Sequence, residues 1–316
     1  MPNLYIPISS ITEATASAQA GIAALKQPVT YIPKQKSYTI TPKVDFALDN
    51  LRAKTEQLST LLKKDRLAAS EIRTVRTLIE AAVLPANRER YYLALQEKVN
   101  YQNQRNSQVK GYSLWSGTFK QWRNVGNEMC NLSSLGMALL YQGISMEDLA
   151  AKLKDLGFKG TPAAQYDDRL EQIRHQMAIN ASKGKIPNVN TLRRDTKETL
   201  KILAESFGLT VEQSIVGKRD YHWYQDHVLN ELAQGHSIIM SYDGHIVRIQ
   251  GVTEAGLVVD DPFGRVEIKK GNSISIPWNK NANSTDNTRI TGEDRVLPWT
   301  QVKAHEMYWM HVIKQK

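Results

Sequence analysis

The hydrophobic pattern of this chain changes period once along its length. From Val44 to about Phe207 most apolar residues recur at helical spacing, and from Leu209 onward they gather into short strand-like runs. Phe46, Leu48, Leu51, Leu58, Leu61 and Leu62 mark a first helix, followed by helical stretches near 70–84 and 87–103, the latter opening after Pro85. Further helices are expected over 132–141, 146–156, 166–180 and 189–207. Strand-like runs occupy 209–216, 237–242, 245–252, 257–260, 266–269 and 307–313. Helices first and strands later specify an α+β class.

The flanking segments suggest an organisation. Pro28, Pro33 and Pro42 punctuate residues 1–42, which read as an extended lead-in. Residues 43–110 read as a basic helical subdomain, with the polar run YQNQRNSQVKG (101–111) as its linker to a mixed domain over 111–316. Charge is uneven: residues 1–110 carry 16 Lys and Arg against 9 Asp and Glu, and the remainder 25 against 23. A basic N-terminal third could sit on an anionic polymer such as wall material, nucleic acid or a membrane surface, or simply face water; no nucleic-acid partner is expected. No apolar run approaches the ~20 residues of a bilayer span, so no membrane span is expected. The N-terminus lacks the pattern of a cleavable secretory signal, so the expected route outside the cell is a dedicated machine or lysis.

The chain has one cysteine, Cys130, so its fold stands without an internal disulfide. Cys130 is therefore a buried small hydrophobe or a reactive thiol. Gly126 and Asn127 mark a turn, and Leu132, Leu135, Leu139 and Leu140 follow at helical spacing, which puts Cys130 at a helix start. Amide N–H groups and the helix dipole there stabilise a thiolate, and the same N–H groups can hold an oxyanion. A base must come from elsewhere in the chain. In SYDGHIVRIQGVTEAGLVVDDPFGRV (241–266), His245 opens a strand-like run, and a second run ends at Asp260-Asp261-Pro262. Two neighbouring strands would set His245 and the acidic pair Asp260–Asp261 at a common rim, where an acid orients the imidazole. Other constellations are weaker. His305-Glu306 and His311 have the wrong spacing for a zinc helix, position 12 of a calcium register from Asn279 is Ile290, and no phosphate-cradling glycine loop occurs. No metal or cofactor is expected.

The motifs together resemble a family. Gln121-Trp122-Arg123-Asn124, then Cys130-Asn131-Leu132-Ser133-Ser134-Leu135-Gly136-Met137-Ala138-Leu139, then Gln165-Tyr166-Asp167-Asp168, Gly244-His245-Ile246-Val247 and Asp260-Asp261-Pro262-Phe263-Gly264 follow one another in order. Over about residues 112–314 this is similar to papain-like cysteine peptidases related to bacteriocin-leader-processing peptidases, in a branch found in bacteria and phages. The resemblance implies a papain-like fold, with a nucleophile helix packed on an antiparallel sheet. It implies Cys130 as nucleophile, His245 as base and an acid before proline, Asp261 or alternatively Asp260. It also implies a side-chain oxyanion donor upstream: Gln121 matches the branch, while Asn124 lies at the six-residue spacing common in papain-like enzymes. Asn131 departs from the glycine that follows the cysteine in leader-processing enzymes. The expected substrate is the peptide part of bacterial cell wall, with an immunity or delivery-machine protein as partner. The other expectations are a protease or toxin acting on polypeptides, and an inactive papain-like adaptor.

Overall fold

A computed structural model describes residues 42–112, 122–183, 191–242, 244–264, 266–269, 272–275, 292–304 and 307–316. The lead-in expected over residues 1–41 lies outside the described residues, as do Gln121, His305, Glu306 and the calcium register. Pro42, assigned to the lead-in from sequence, instead opens the first helix, where its missing N–H costs nothing.

The chain is α+β. Helices α1 (Pro42–Leu62), α2 (Ala69–Ala82) and α3 (Arg88–Gln96) come first. A short pair, β1 (Lys110–Tyr112) and β2 (Trp122–Asn124), leads to α4 (Cys130–Tyr141), α5 (Met146–Asp155), α6 (Tyr166–Ala181) and α7 (Lys197–Glu205). A six-stranded sheet follows: β3 (Thr210–Gly217), β4 (Ser237–Tyr242), β5 (His245–Val252), β6 (Gly256–Asp261), β9 (Gly292–Pro298) and β10 (Met307–Lys314). Between β6 and β9, β7 (Val266–Lys269) and β8 (Asn272–Ser275) pair separately. The order in the large sheet is β3-β10-β4-β5-β6-β9, and each neighbouring pair is antiparallel.

Strands β4, β5 and β6 are buried at every residue because both faces of the sheet are covered. Alternation divides their side chains. Ile239 and Ile246 join a core with the helices, while Ile238, Met240, Val247 and Ile249 join a second core with the helical stretch 221–233 and with Trp299 and Val302. Helix α4 lies on the first face, in contact with β4 and β5 and with α2, α6 and α7 around it. Residues 131–141 of α4 are all buried, as in a central helix, and its buried polar side chains Asn131, Ser133 and Ser134 are each hydrogen-bonded.

Several boundaries differ from the sequence expectation. The helix expected over 87–103 ends at Gln96, whose backbone carbonyl and side-chain oxygen both accept from Arg248 Nη2, at 2.9 and 2.7 Å. The helix expected over 189–207 starts only after Thr196, which caps it by accepting from Thr199 N, while Arg194 is drawn into an ion cluster with Glu128 and Glu171. Of the surface loop expected over 279–294, residues 292–294 begin β9, an edge strand whose alternating exposure hides it among polar residues. Residues 101–107 do not behave as a solvated linker, for Asn103, Gln104 and Ser107 are buried. The helices of 43–110 have no core of their own: Leu58, Ile72, Ile79 and Leu95 belong to the same cluster as Leu132, Leu135 and Ile246.

Candidate active site

Cys130 is the first residue of α4, after a tight turn over Gly126–Glu128. The turn is closed by Glu128 N to Val125 O at 2.7 Å and Met129 N to Gly126 O at 3.3 Å. Met129 has no side-chain oxygen with which to cap the helix, so the thiol sits at an end whose N–H groups receive no side-chain cap from it. The sulfur-bearing residue is half-buried, packed against the core on one side. One turn further, Ser134 Oγ donates to Ile246 O at 2.9 Å and joins the nucleophile helix to the strand residue next to His245. Its neighbour Ser133 donates to Asp167 Oδ2 at 2.6 Å, fixing the other side of the helix to α6.

His245 is the first residue of β5, opposite Tyr242 across a two-residue turn. Gly244 has φ of +75°, a conformation that tight hairpins require and glycine supplies without strain. The ring is 7 % exposed and meets Tyr242 and Phe263 edge-on at 5.8 and 6.2 Å between centroids. Its Nε2 lies 2.7 Å from Asp261 Oδ1, and Cys130 is near enough to act on the ring. Since Nε2 is committed to Asp261, Nδ1 is the nitrogen left for the sulfur. Burial pushes the His245 pKa down, but the charge and hydrogen bond of Asp261, then the bond to and charge of Cys130, overcome it and raise it to about 10. The imidazole is therefore held as imidazolium at neutral pH.

The two adjacent aspartates are separated by the alternation of β6. Asp261 is 0 % exposed, and both its carboxylate oxygens and its carbonyl are hydrogen-bonded. Oδ1 also accepts from Phe263 N at 3.0 Å, Oδ2 accepts from Arg295 Nη1 at 3.1 Å, and the backbone carbonyl accepts from Gly264 N and the Tyr101 hydroxyl. Gly292 of β9 crosses so close that a Cβ there would fall 2.1 Å from the Asp261 carbonyl oxygen. Asp260 instead takes Arg248 Nη1 at 2.7 Å, its cross-strand partner. Burial raises its pKa, opposed by Arg248.

Thus Cys130, His245 and Asp261, 131 positions apart at the extremes, meet in one place, and Asp260 faces elsewhere. Of the two oxyanion candidates, Gln121 lies outside the described residues, and Asn124 ends β2, six positions before Cys130. Period and spacing alone left the parts played by Tyr101, Gln104, Ser133, Ser134 and Arg295 unnoticed. The two serines at least stood inside the motif around Cys130, whereas nothing in the sequence pattern marked Arg295. Among the described residues no group of three or more His, Cys, Asp or Glu is placed to hold a metal ion, and no helix among them is long and apolar enough to cross a membrane. The arrangement joins a thiol at a helix start, a charged imidazole and a buried carboxylate, a set suited to nucleophilic attack on an acyl carbon. No family model, curated protein or solved structure matches the chain.

Proposed function

We propose that this protein is a papain-like cysteine hydrolase that cleaves amide bonds. One observation carries the reading: His245, 2.7 Å from Asp261 Oδ1, also stands near enough to Cys130 for that residue to act on the imidazole. For attack, the Cys130 proton passes to His245, giving a thiolate and an imidazolium. The thiolate attacks the substrate carbonyl, and the carbonyl electrons move to oxygen, which α4 N–H groups and an upstream amide, Gln121 or Asn124, stabilise. His245 then gives its proton to the leaving amine as the C–N bond breaks, producing a thioester on Cys130 and a neutral imidazole. Water adds to the thioester, losing a proton to His245, and the acid product departs with the thiolate restored. Asp261 fixes the imidazole tautomer and offsets its positive charge throughout.

For the substrate we propose peptide bonds of bacterial cell wall, on the strength of the sequence resemblance, with polypeptides as the competing class. Digestion of purified wall followed by mass spectrometry tests both. The expected products carry new amino groups without new reducing sugar ends, and Cys130→Ala yields none. Intact wall alongside a cleaved protein substrate would transfer the chemistry to polypeptides. No turnover on either, with a thiol no more reactive than in denaturant, would leave an inactive adaptor.

A further inference from the structure

We infer that Gln104 is a positioning residue for the Cys130–His245–Asp261 centre, the middle of a strap over 101–107 that ties the nucleophile loop to the acid loop. The inference rests on the hydrolase reading above. The two loops belong to distant parts of the chain and must be held at a fixed separation for the imidazole to bridge them. Gln104 touches both. Its backbone N–H donates to Pro262 O at 3.0 Å, one residue beyond the orienting acid. Its side-chain Nε2 donates to Gly126 O at 3.1 Å, the carbonyl that also closes the turn before Cys130. The side chain is 1 % exposed, so neither bond is exchanged for water at low cost.

The strap is fastened at both ends. Three residues earlier, the Tyr101 hydroxyl donates to the backbone carbonyl of Asp261 itself. Three and four residues later, Ser107 Oγ and Gln108 N both donate to the buried carboxylate of Asp168, the latter at 2.9 Å. Gln165 Nε2 adds a bond to Asn106 O at 2.6 Å. A segment with this anchoring transmits position rather than merely filling space. Loss of the Gly126 bond would let the Cys130 turn drift from the imidazole, and displacements of about 1 Å in such centres cost up to 10²-fold in rate.

Because Cys130 is the one cysteine, alkylation by iodoacetamide reports its thiolate without background. The test compares full-length wild type, Gln104→Met and Tyr101→Phe across a pH series, with thermal unfolding measured in parallel. Methionine keeps the shape of glutamine and removes the donor. We expect Gln104→Met to alkylate about tenfold more slowly than wild type near pH 6, where an unassisted thiol is protonated, while the unfolding midpoint stays within a few degrees. Tyr101→Phe, which loses a single hydroxyl, should move the profile in the same direction and serves if the methionine variant folds poorly. Profiles of both variants superposing on wild type would overturn the inference, as would a lowered midpoint with an unchanged profile. A wild-type thiol that reacts near pH 6 no faster than in denaturant would defeat the hydrolase reading and the strap's role with it.

Discussion

An imidazolium at 7 % exposure is costly unless anions surround it, and His245 carries its charge because Asp261 receives it on one nitrogen and Cys130 lies on the other side. Asp261 in turn is shared with Arg295, which keeps the carboxylate from being a lone buried anion. The linkage has a definite sign. The folded pKa of about 10 lies above the ordinary histidine value near 6.5, so the native state holds the proton more tightly. The resulting stabilisation is complete below about pH 6.5 and is lost as pH rises towards 10. His245→Gln keeps a donor for Asp261 and discards the charge. It should unfold at a lower temperature than wild type at pH 7, and the difference should shrink steadily up to pH 10. A gap that stays constant across that range would show that His245 is neutral in the folded protein.

At the scale of elements, α4 is set by two adjacent serines. Ser134 ties it to β5 beside His245, and Ser133 ties it to Asp167 in the first turn of α6. Asp167 accepts in addition from Asp168 N at 2.9 Å, yet burial raises its pKa to about 6, with the Ser133 bond opposing and the Asp168 charge reinforcing the shift. A raised carboxyl pKa means that stability falls as pH rises from about 4 to about 6, the native state preferring the proton. Asp167→Asn supplies an oxygen to Asp168 N and an amide to Ser133 without a charge. It should be more stable than wild type above pH 6 by at most about 3 kcal/mol, with the gap closing below pH 4, as denaturant titrations at several pH values would read. The motif around Cys130 was visible in the sequence, but the work of its serines was not, because a hydroxyl's partner depends on tertiary packing. Strands β4 and β5 were legible as SIIMSY and HIVRIQGV, apolar runs bounded by Gly235 and Gly244. Strand β9 was not, since GEDRVLP places charged residues along a half-exposed edge. Cys130, His245 and the Asp260–Asp261 pair could be picked out by type and context. The resemblance put Asp261, directly before Pro262, ahead of Asp260; what the sequence did not carry is the register that sets Asp260 against Arg248.

At the scale of the molecule, the basic N-terminal helices are built into the same body as the candidate site. Arginines that contribute to the charge surplus are already engaged: Arg66 with Glu293, Arg73 with Asp148 and Gly143 O, Arg76 with Gly235 O, and Arg88 with Glu80. At these four positions the charge is spent within the fold rather than presented to a partner. Gln96 Nε2 donates to His236 O, and the Tyr141 hydroxyl donates to Tyr92 O, so polar bonds and the shared apolar core both cross what the sequence suggested as a boundary. Ile79 in α2 tests the consequence. It is fully buried in the cluster that also holds Leu135 and Ile246, and truncation to alanine should cost about 2–5 kcal/mol through lost burial and the cavity left behind. If the helices and the site form one cooperative unit, Ile79→Ala lowers the denaturation midpoint followed by helical circular dichroism and the midpoint followed by Cys130 labelling by the same amount. Were the helices an appended module, the variant would melt them first and leave the thiol protected. The cysteine would then keep its wild-type midpoint, and the shared core would not be what holds the site together.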